Sequence, residues 1–340
     1  MAVDPSSVPN FDNLPRVQGM PPGCAWGIFD KGGKKDLVGT LNFLTPEIVK
    51  AAASEVKTGI SVSLNWPLTA ISKVKPFKRA KPKHNILYLP ETSNVSNKVK
   101  SWEDELEFNP QDSSQWDSLV HIHHYPTNMV YNGFSPDKQM LSVESTEENV
   151  LPTLDHWHPR GGLVGRGVLI DYKKYAEEKG VPFEPCDGIA ITVPDLESCI
   201  EYFGITIRPG DILLLRTGTT EALENPATHQ PSYSQMSGLE SSPEMARWLW
   251  DHRFAAVASD TFALEAINTL RADGAVDGME RMILHHYLLS MFGMPIGELF
   301  DLKRLSEYAN KLKQYTFLLT SVPLNHPGLV GSPANAVAIF

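Results

Sequence analysis

The chain of 340 residues is long enough to bury a substantial core, and its 42% hydrophobic and 21% charged residues are typical of a globular protein. Its net charge of −10 argues against a nucleic-acid partner, because such binding depends on lysine and arginine contacts to phosphates. Three cysteines are too few for a disulfide framework, and no apolar run approaches the ~20 residues of a membrane helix. We therefore expect a cytoplasmic protein with neither a nucleic-acid nor a membrane partner.

The first 22 residues predict an extended N-terminal arm. They contain Pro5, Pro9, Pro15, Pro21 and Pro22, which are incompatible with a regular helix. They also lack the basic and apolar regions of a signal peptide. We expect this arm (residues 1–22) to lie over a surface and to take part in an oligomer contact. No linker-like composition and no internal repeat interrupts residues 23–340, which we expect to form a single domain.

The next segment begins with a helix and a strand. Thr45 before Pro46 and Glu47 is an N-cap motif that predicts a helix over residues 46–56. Alternating apolar and polar residues then predict a strand over 60–65. The lysine-rich residues 73–83 predict a solvated loop rather than an anion-binding patch, since no aromatic or glycine-rich sequence accompanies the charges.

The second half of the chain predicts a mixed α/β core. The glycine-rich run at 161–171 does not match a phosphate-binding loop, because its glycines precede a strand instead of following one. Strands are predicted over 189–193, 210–218, 255–260 and 315–322, and helices over 195–203, 243–252, 279–292 and 302–312. Prolines and glycines punctuate residues 323–340, which we expect to form an irregular tail.

Residues 115–124 hold the densest group of side chains able to bind a metal or handle a proton. Asp117 and His121 lie four residues apart and combine a carboxylate with an imidazole, a pairing that suits zinc, manganese or iron in an open hydrolytic site. Alone, the pair is more simply explained as a hydrogen-bonded structural contact. His285 in a predicted helix and Glu298 after it offer two further ligands for the same cleft.

Residues 115–121 also resemble part of a family signature. The cyclase family that includes bacterial kynurenine formamidase and isatin hydrolase carries the pattern His-x-Gly-Thr-His-x-Asp-x-Pro-x-His. The second half of this pattern aligns with residues 115–121 and brings Asp117 and His121 into register. Further matches, which resemble the longer fungal and bacterial branch, run through most of the chain at residues 11–15, 39–46, 165–171, 209–218, 297–302 and 331–335.

The resemblance implies an α/β fold of the swivelling β/β/α type, with mixed sheets and flanking helices, and a divalent metal that activates water against a carbonyl carbon. It implies a metal on Gln115, Asp117 and Glu298, with His121 and His285 beside it as a second metal site or as acid and base. Gln115 replaces a metal-binding histidine of the signature, and its amide oxygen binds zinc less well than imidazole does. We therefore expect one Mn²⁺ ion or a weakly held metal, with Zn²⁺ as the alternative ion.

Dimers and larger oligomers are common in that family, so we also expect a homodimer or a higher homo-oligomer.

The remaining candidates are assigned separately. His124 suits a general base, because imidazole titrates near neutral pH, although a solvated loop histidine explains it equally well. His123 is expected to point away from the site in an extended chain, and His286 lies about 100° around a helix from His285. The predicted walls of a pocket for an aromatic or apolar substrate are Trp26, Phe29, Tyr131 and Asn132.

Three hypotheses on function follow. The first is a metal-dependent hydrolase that cleaves an amide, lactam or lactone acyl bond of a small-molecule substrate. In it, His121 or His124 takes a proton from water, and His285 stabilises or protonates the leaving group. The second keeps the same scaffold for a lyase, dehydratase or cyclase of secondary metabolism. The third is a non-catalytic scaffold that has lost its metal, which the amide at Gln115 suggests.

Overall fold

The computed structural model describes residues 3–74, 80–89, 100–225, 235–268 and 282–340. The strands are β1 (Ser61–Ser63), β2 (Lys83–Tyr88), β3 (Trp102–Glu107), β4 (Gln115–Asp117), β5 (Leu163–Asp171), β6 (Ala190–Ile191), β7 (Ile212–Arg216), β8 (Gln235–Met236), β9 (Gly238–Leu239), β10 (Ala256–Ser259), β11 (Ile267–Asn268), β12 (Ile296–Glu298), β13 (Thr316–Ser321), β14 (Gly331–Pro333) and β15 (Ala336–Ile339).

Helices flank these strands. The α-helices are α1 (Pro46–Ala52), α2 (Lys138–Leu141), α3 (Tyr172–Lys179), α4 (Val193–Tyr202), α5 (Thr219–Glu224), α6 (Pro243–Asp251), α7 (Ile283–His285) and α8 (Lys303–Leu312). A π-helix follows α7 at His286–Phe292. Short 3₁₀-helices occur at Pro5–Ser7, Phe11–Asn13, Gly39–Phe43, Ala53–Glu55, Ile71–Lys73, Tyr131–Gly133 and Leu154–Trp157.

One large mixed sheet organises the molecule. Within the described ranges its order is β1-β15-β13-β5-β7-β10-β12-β4-β14. The central strands β5, β7, β10 and β12 pair in parallel, and the outer strands pair antiparallel. The predicted α/β class with a mixed sheet and flanking helices is confirmed.

The central strands are apolar because they are buried in the core of the molecule. Every residue of β7 is buried, as expected for a strand without a solvent face. In β5, a Cβ atom on Gly167 would lie 2.2 Å from the Phe317 ring of β13. The glycines of this run therefore permit close packing within the sheet, which agrees with rejecting a phosphate loop.

Helix capping sets two predicted helix starts. The Thr45 side chain accepts a hydrogen bond from the backbone N–H of Ile48 at 3.3 Å, and α1 then continues as the 3₁₀-helix Ala53–Glu55. Helix α4 begins two residues earlier than predicted, because Thr192 and Asp195 form a reciprocal capping box.

Several predicted elements differ from the structure. The tail over 323–340 was expected to be irregular, which is wrong, since β14 and β15 both join the large sheet. The single helix over 279–292 is instead a short α-helix from Ile283 that becomes the π-helix, and residues 279–281 lie outside the described ranges. Residues 75–79 of the predicted lysine-rich loop also lie outside them, and Lys83 begins the unpredicted hairpin of β2 and β3.

The N-terminal arm packs against the end of α6. The Arg253 guanidinium donates to the carbonyls of Pro5 and Val8, and the backbone N–H of Phe11 donates to Asp251 at 2.8 Å. Its expected part in an oligomer contact stays a prediction, as does the single domain over 23–340. None of the described helices has the length and hydrophobicity needed to cross a membrane.

Candidate metal centre

Strands β4 and β12 place three polar side chains on one face of the sheet. Gln115 lies directly opposite Glu298 in the antiparallel register. Asp117 follows Gln115 by two residues and therefore shares its face, because side chains alternate along a strand. All three residues are buried, with exposed fractions of 1% for Gln115, 0% for Asp117 and 5% for Glu298. Predicted residues that lie far apart in the sequence thus meet across one strand pair.

His285 completes this group from the end of α7. Its Nε2 atom lies 3.3 Å from Glu298 Oε1. One potential ligand atom from each of Asp117, His285 and Glu298 lies within 4.8 Å of the other two. A carboxylate pair with an imidazole at this spacing can hold a divalent cation.

Glu265 fixes His285 from the other side, a contact that the sequence did not predict. Its Oε1 atom lies 2.7 Å from His285 Nδ1, and its carboxylate accepts the backbone N–H groups of Leu284 and His285 at 3.0 Å each. Ser241 donates a further hydrogen bond to it. Glu265 therefore orients the ring so that Nε2 faces Glu298.

The surroundings of His285 favour its positive charge. Burial opposes that charge, but hydrogen bonds to Glu265 and Glu298 and their negative charges outweigh burial, raising the pKa of His285 to about 10. Without a metal, a proton on this imidazole balances the two carboxylates.

Two glutamine amides contact the carboxylates, and Gln115 bridges both of them. Gln115 Nε2 donates to Glu298 at 2.8 Å and lies 3.4 Å from Asp117 Oδ1. Gln111 Nε2 donates to Asp117 Oδ1 at 2.9 Å and lies 3.5 Å from the ring nitrogens of His121. Gln111 stands four residues before Gln115, where the cyclase signature has its first histidine. The spacing of the signature was the signal that could have identified Gln111.

The donor atoms fit a metal ion. Gln115 Oε1 and Asp117 Oδ2 are buried, and neither has a hydrogen-bond partner in the part of the chain that the structure describes. An unpaired buried oxygen is costly; a cation would satisfy Asp117 Oδ2 directly, and Gln115 Oε1 once its amide is rotated by half a turn. The site therefore has the composition and the unused acceptors of a divalent-metal site.

The other predicted histidines lie at the edge of this group. His121 Nε2 is 3.9 Å from Asp117 Oδ1, and its side chain keeps 24% of its surface exposed. His124 Nδ1 lies 2.9 Å from the Thr127 hydroxyl, and its ring meets His286 edge to face at 6.0 Å. Burial, with a contribution from His286, lowers the pKa of His124. The catalytic roles of both histidines stay predictions.

The four residues predicted as pocket walls make structural contacts. Phe29 packs edge to face on Phe43, and the fully buried Tyr131 donates from its hydroxyl to Asp36 at 3.1 Å. Their burial is a physical reason to regard both rings as core. Their predicted role in binding substrate stays a prediction.

Trp26 and Asn132 bind neighbouring chain segments. Trp26 Nε1 donates to the Ser290 carbonyl at 2.7 Å, and Asn132 Oδ1 accepts the backbone N–H of Gly27 at 3.0 Å. Trp26 remains partly exposed, so its ring is more accessible than that of the buried Phe29. Substrate contact by these two residues also stays a prediction.

Comparison with known proteins supports this description of the fold. A solved structure described as a novel cyclase has 27% sequence identity and a TM-score of 0.74, covering 93% of this chain and 99% of that chain. An isatin hydrolase bound to the product analogue thioisatinate has 17% identity and a TM-score of 0.52, covering 85% of this chain and 94% of that one. Isatin hydrolase A from Labrenzia aggregata, bound to benzyl benzoate, has 16% identity and a TM-score of 0.52, covering 86% and 97%.

Sequence comparison gives the family directly. No curated protein sequence matches the chain. A family model described as "Putative cyclase" matches residues 45–266, more than half of the chain. With the fold and the β4–β12 strand pair described above, the chain belongs to this cyclase family.

Proposed function

We propose that the protein is a metal-dependent hydrolase that cleaves an amide, lactam or lactone acyl bond of a small metabolite. The observation that carries this proposal is the buried group of Asp117, His285 and Glu298, whose ligand atoms lie within 4.8 Å of one another. Relatives of similar fold include isatin hydrolases, which adds support for acyl-bond hydrolysis.

The donor set favours Mn²⁺, with Zn²⁺ as the alternative. Asp117, Glu298 and the amide of Gln115 would supply oxygen atoms, and His285 would supply one nitrogen. Rotating the Gln115 amide by half a turn exchanges its oxygen and nitrogen and would direct Oε1 toward the carboxylates. Oxygen-rich sites suit manganese better than sites rich in imidazole or thiolate, which suit zinc.

The protein side chains would divide the remaining work. A bound divalent metal polarises a carbonyl oxygen and lowers the pKa of water from ~15.7 toward ~7. His121, which is partly exposed beside Asp117, would accept a proton from water and pass it to solvent. His124 is the second candidate for this role. His285 would act as a ligand or stabilise the leaving group, held in place by Glu265.

Product mass tests the reaction class. Incubation of the Mn²⁺-loaded protein with a lactone or lactam should give one ring-opened product heavier than its substrate by one water, about 18 Da. An aryl amide should give an acid and an amine whose masses together exceed that of the substrate by the same amount. Substitution of Asp117 by alanine or exhaustive chelation should abolish the product. Products without added water would favour a lyase or cyclase, and undiminished turnover after both treatments would contradict metal-dependent hydrolysis.

A further inference from the structure

A cavity of about 450 Å³ lies beside α1 and the start of β5. Its walls are mostly apolar and include Val38, Leu41, Leu44, Val49 and Val164. Sites for small molecules in proteins commonly have volumes in this range and walls of this character. The cavity could therefore hold the apolar body of a small ligand.

Arg160 gives this cavity a single positive charge. Its guanidinium donates to the carbonyls of Leu41, at 3.0 Å, and Gly162. Within the described residues, no carboxylate lies within ion-pair distance of this guanidinium. Its other N–H groups also have no hydrogen-bond acceptor among those residues. Burial lowers the pKa of Arg160 with no opposing contribution from an acid. A partly buried cation is usually accompanied by a counter-charge, and Arg160 has none among the described residues.

The nearby backbone favours a carboxylate over a phosphate. Gly161 and Gly162 line the cavity, but their N–H groups already donate to the carbonyls of His158 at 2.9 Å and Trp157 at 2.8 Å. They cannot also form the nest of N–H donors that phosphate sites use. One planar guanidinium matches the two oxygens of a monocarboxylate.

The cavity is separate from the metal centre. Strands β5, β7, β10 and β12 run parallel, and Glu298 stands at the carboxyl end of β12. Val164 lies near the amino end of β5. When the residue pairing is followed across β7 and β10 to β12, Val164 stands six residues before the level of Glu298. At about 3.3 Å per residue, the two sites are roughly 20 Å apart along the strands.

We propose that this cavity is a second binding site, specific for a small monocarboxylate with an apolar body. The carboxylate accepts hydrogen bonds from Arg160, and the body packs against Leu41, Leu44 and Val49. The proposal does not rest on the hydrolase function, because the two sites lie at opposite ends of the parallel strands.

Calorimetric titration of the full chain tests this site, with hexanoate as the probe and with chelator present to exclude metal binding. Hexanoate should bind once per chain, and hexanamide should bind at least about tenfold more weakly, because charge-assisted hydrogen bonds are stronger than neutral ones. Arg160→Met should reduce hexanoate affinity to that of the amide. Val49→Phe, which fills the cavity and leaves Arg160 intact, should also remove binding.

A control variant separates the two sites. Asp117→Ala alters the metal centre and should leave hexanoate binding unchanged. Absence of saturable binding, equal affinity for hexanamide, or full binding by a folded Val49→Phe variant would overturn the proposal. Loss of binding in Asp117→Ala would instead assign the carboxylate to the metal centre.

Discussion

The amide of Gln115 donates to Glu298 over 2.8 Å, at a position where the cyclase signature has a histidine. In a group with a single imidazole, this residue decides how strongly the site prefers oxygen-binding metals. Gln115→His should raise affinity for Zn²⁺ relative to Mn²⁺ by about tenfold or more, because imidazole is the better zinc ligand. Competition titrations with the two ions measure the ratio.

Gln139→His is the matched control, since Gln139 is an exposed glutamine on α2 and is not among the residues of the centre. It should leave the ratio unchanged. An unchanged ratio in Gln115→His would show that Gln115 does not contact the metal.

Glu265 acts on the centre through His285. Its contact at 2.7 Å with Nδ1 is the kind of partner that fixes the tautomer and orientation of a metal-binding histidine. Glu265→Gln should lower metal affinity about 10- to 100-fold. Metal titration measures this effect, and thermal unfolding measures any accompanying loss of stability.

Asp211→Asn is the control for a purely structural effect. Asp211 is also buried and holds Arg166 at 2.6 Å, far from the strand pair of the centre. That variant should lose stability and keep its metal affinity. If both variants lose stability and neither loses affinity, Glu265 has no positioning role.

At the scale of elements, the 3₁₀-helix Gly39–Phe43 is held against the end of the π-helix. Gly39 has φ +57°, and a Cβ atom there would lie 1.8 Å from the carbonyl oxygen of Gly293. That oxygen accepts the backbone N–H of Thr40 at 2.8 Å. Gly39→Ala should therefore destabilise the fold by about 3 kcal/mol or more, from backbone strain and the clash together.

Gly33→Ala provides the comparison, because Gly33 has φ +77° and a Cβ atom added there would have no neighbour within 4 Å among the described residues. It should cost only about 1–2 kcal/mol of backbone strain. Denaturant unfolding of both variants gives the two free energies. Equal losses would show that contact with Gly293 contributes nothing.

The sequence predicted correctly those helices and strands that are determined by residues close to one another in the chain. The N-cap at Thr45 and the apolar run of β7 are of this kind, as each is set by neighbouring residues. Strands β14 and β15 escaped detection because partners distant in sequence hold them in the sheet. The π-helix escaped because its apolar spacing resembles that of an ordinary helix.

The residues of the metal centre also fall into those that the sequence predicted and one that it did not. Asp117, His285 and Glu298 were found from residue type and from the family resemblance, and the structure brings them together. Glu265 has no such signal, since its importance comes from accepting the N–H groups at the start of α7. Only the folded chain shows that contact.

At the scale of the whole molecule, one face of the hairpin of β2 and β3 exposes several large apolar side chains. Trp102, Ile86 and Leu106 are 67%, 62% and 55% exposed, and Tyr88 packs on Trp102 at 4.6 Å. A two-stranded hairpin is only marginally stable by itself, and a contiguous apolar surface commonly marks an interface. We predict that a second copy of the chain covers this face in a homodimer.

Sedimentation velocity measures this assembly. The double substitution Trp102→Ser and Leu106→Ser should shift the protein toward monomer at micromolar concentration. Val150→Ser, which alters an equally exposed apolar residue outside the hairpin, should not. A wild-type chain that sediments as a monomer would contradict both this prediction and the expected role of the N-terminal arm.

The central claim is that Asp117, His285 and Glu298 hold one divalent metal ion. Elemental analysis of the protein after loading with Mn²⁺ and removal of free ions tests it most directly. We predict one metal ion per wild-type chain, and loss of this ion in folded Asp117→Ala and Glu298→Gln variants. A wild-type chain that retains no metal, or variants that retain as much as the wild type, would contradict the claim.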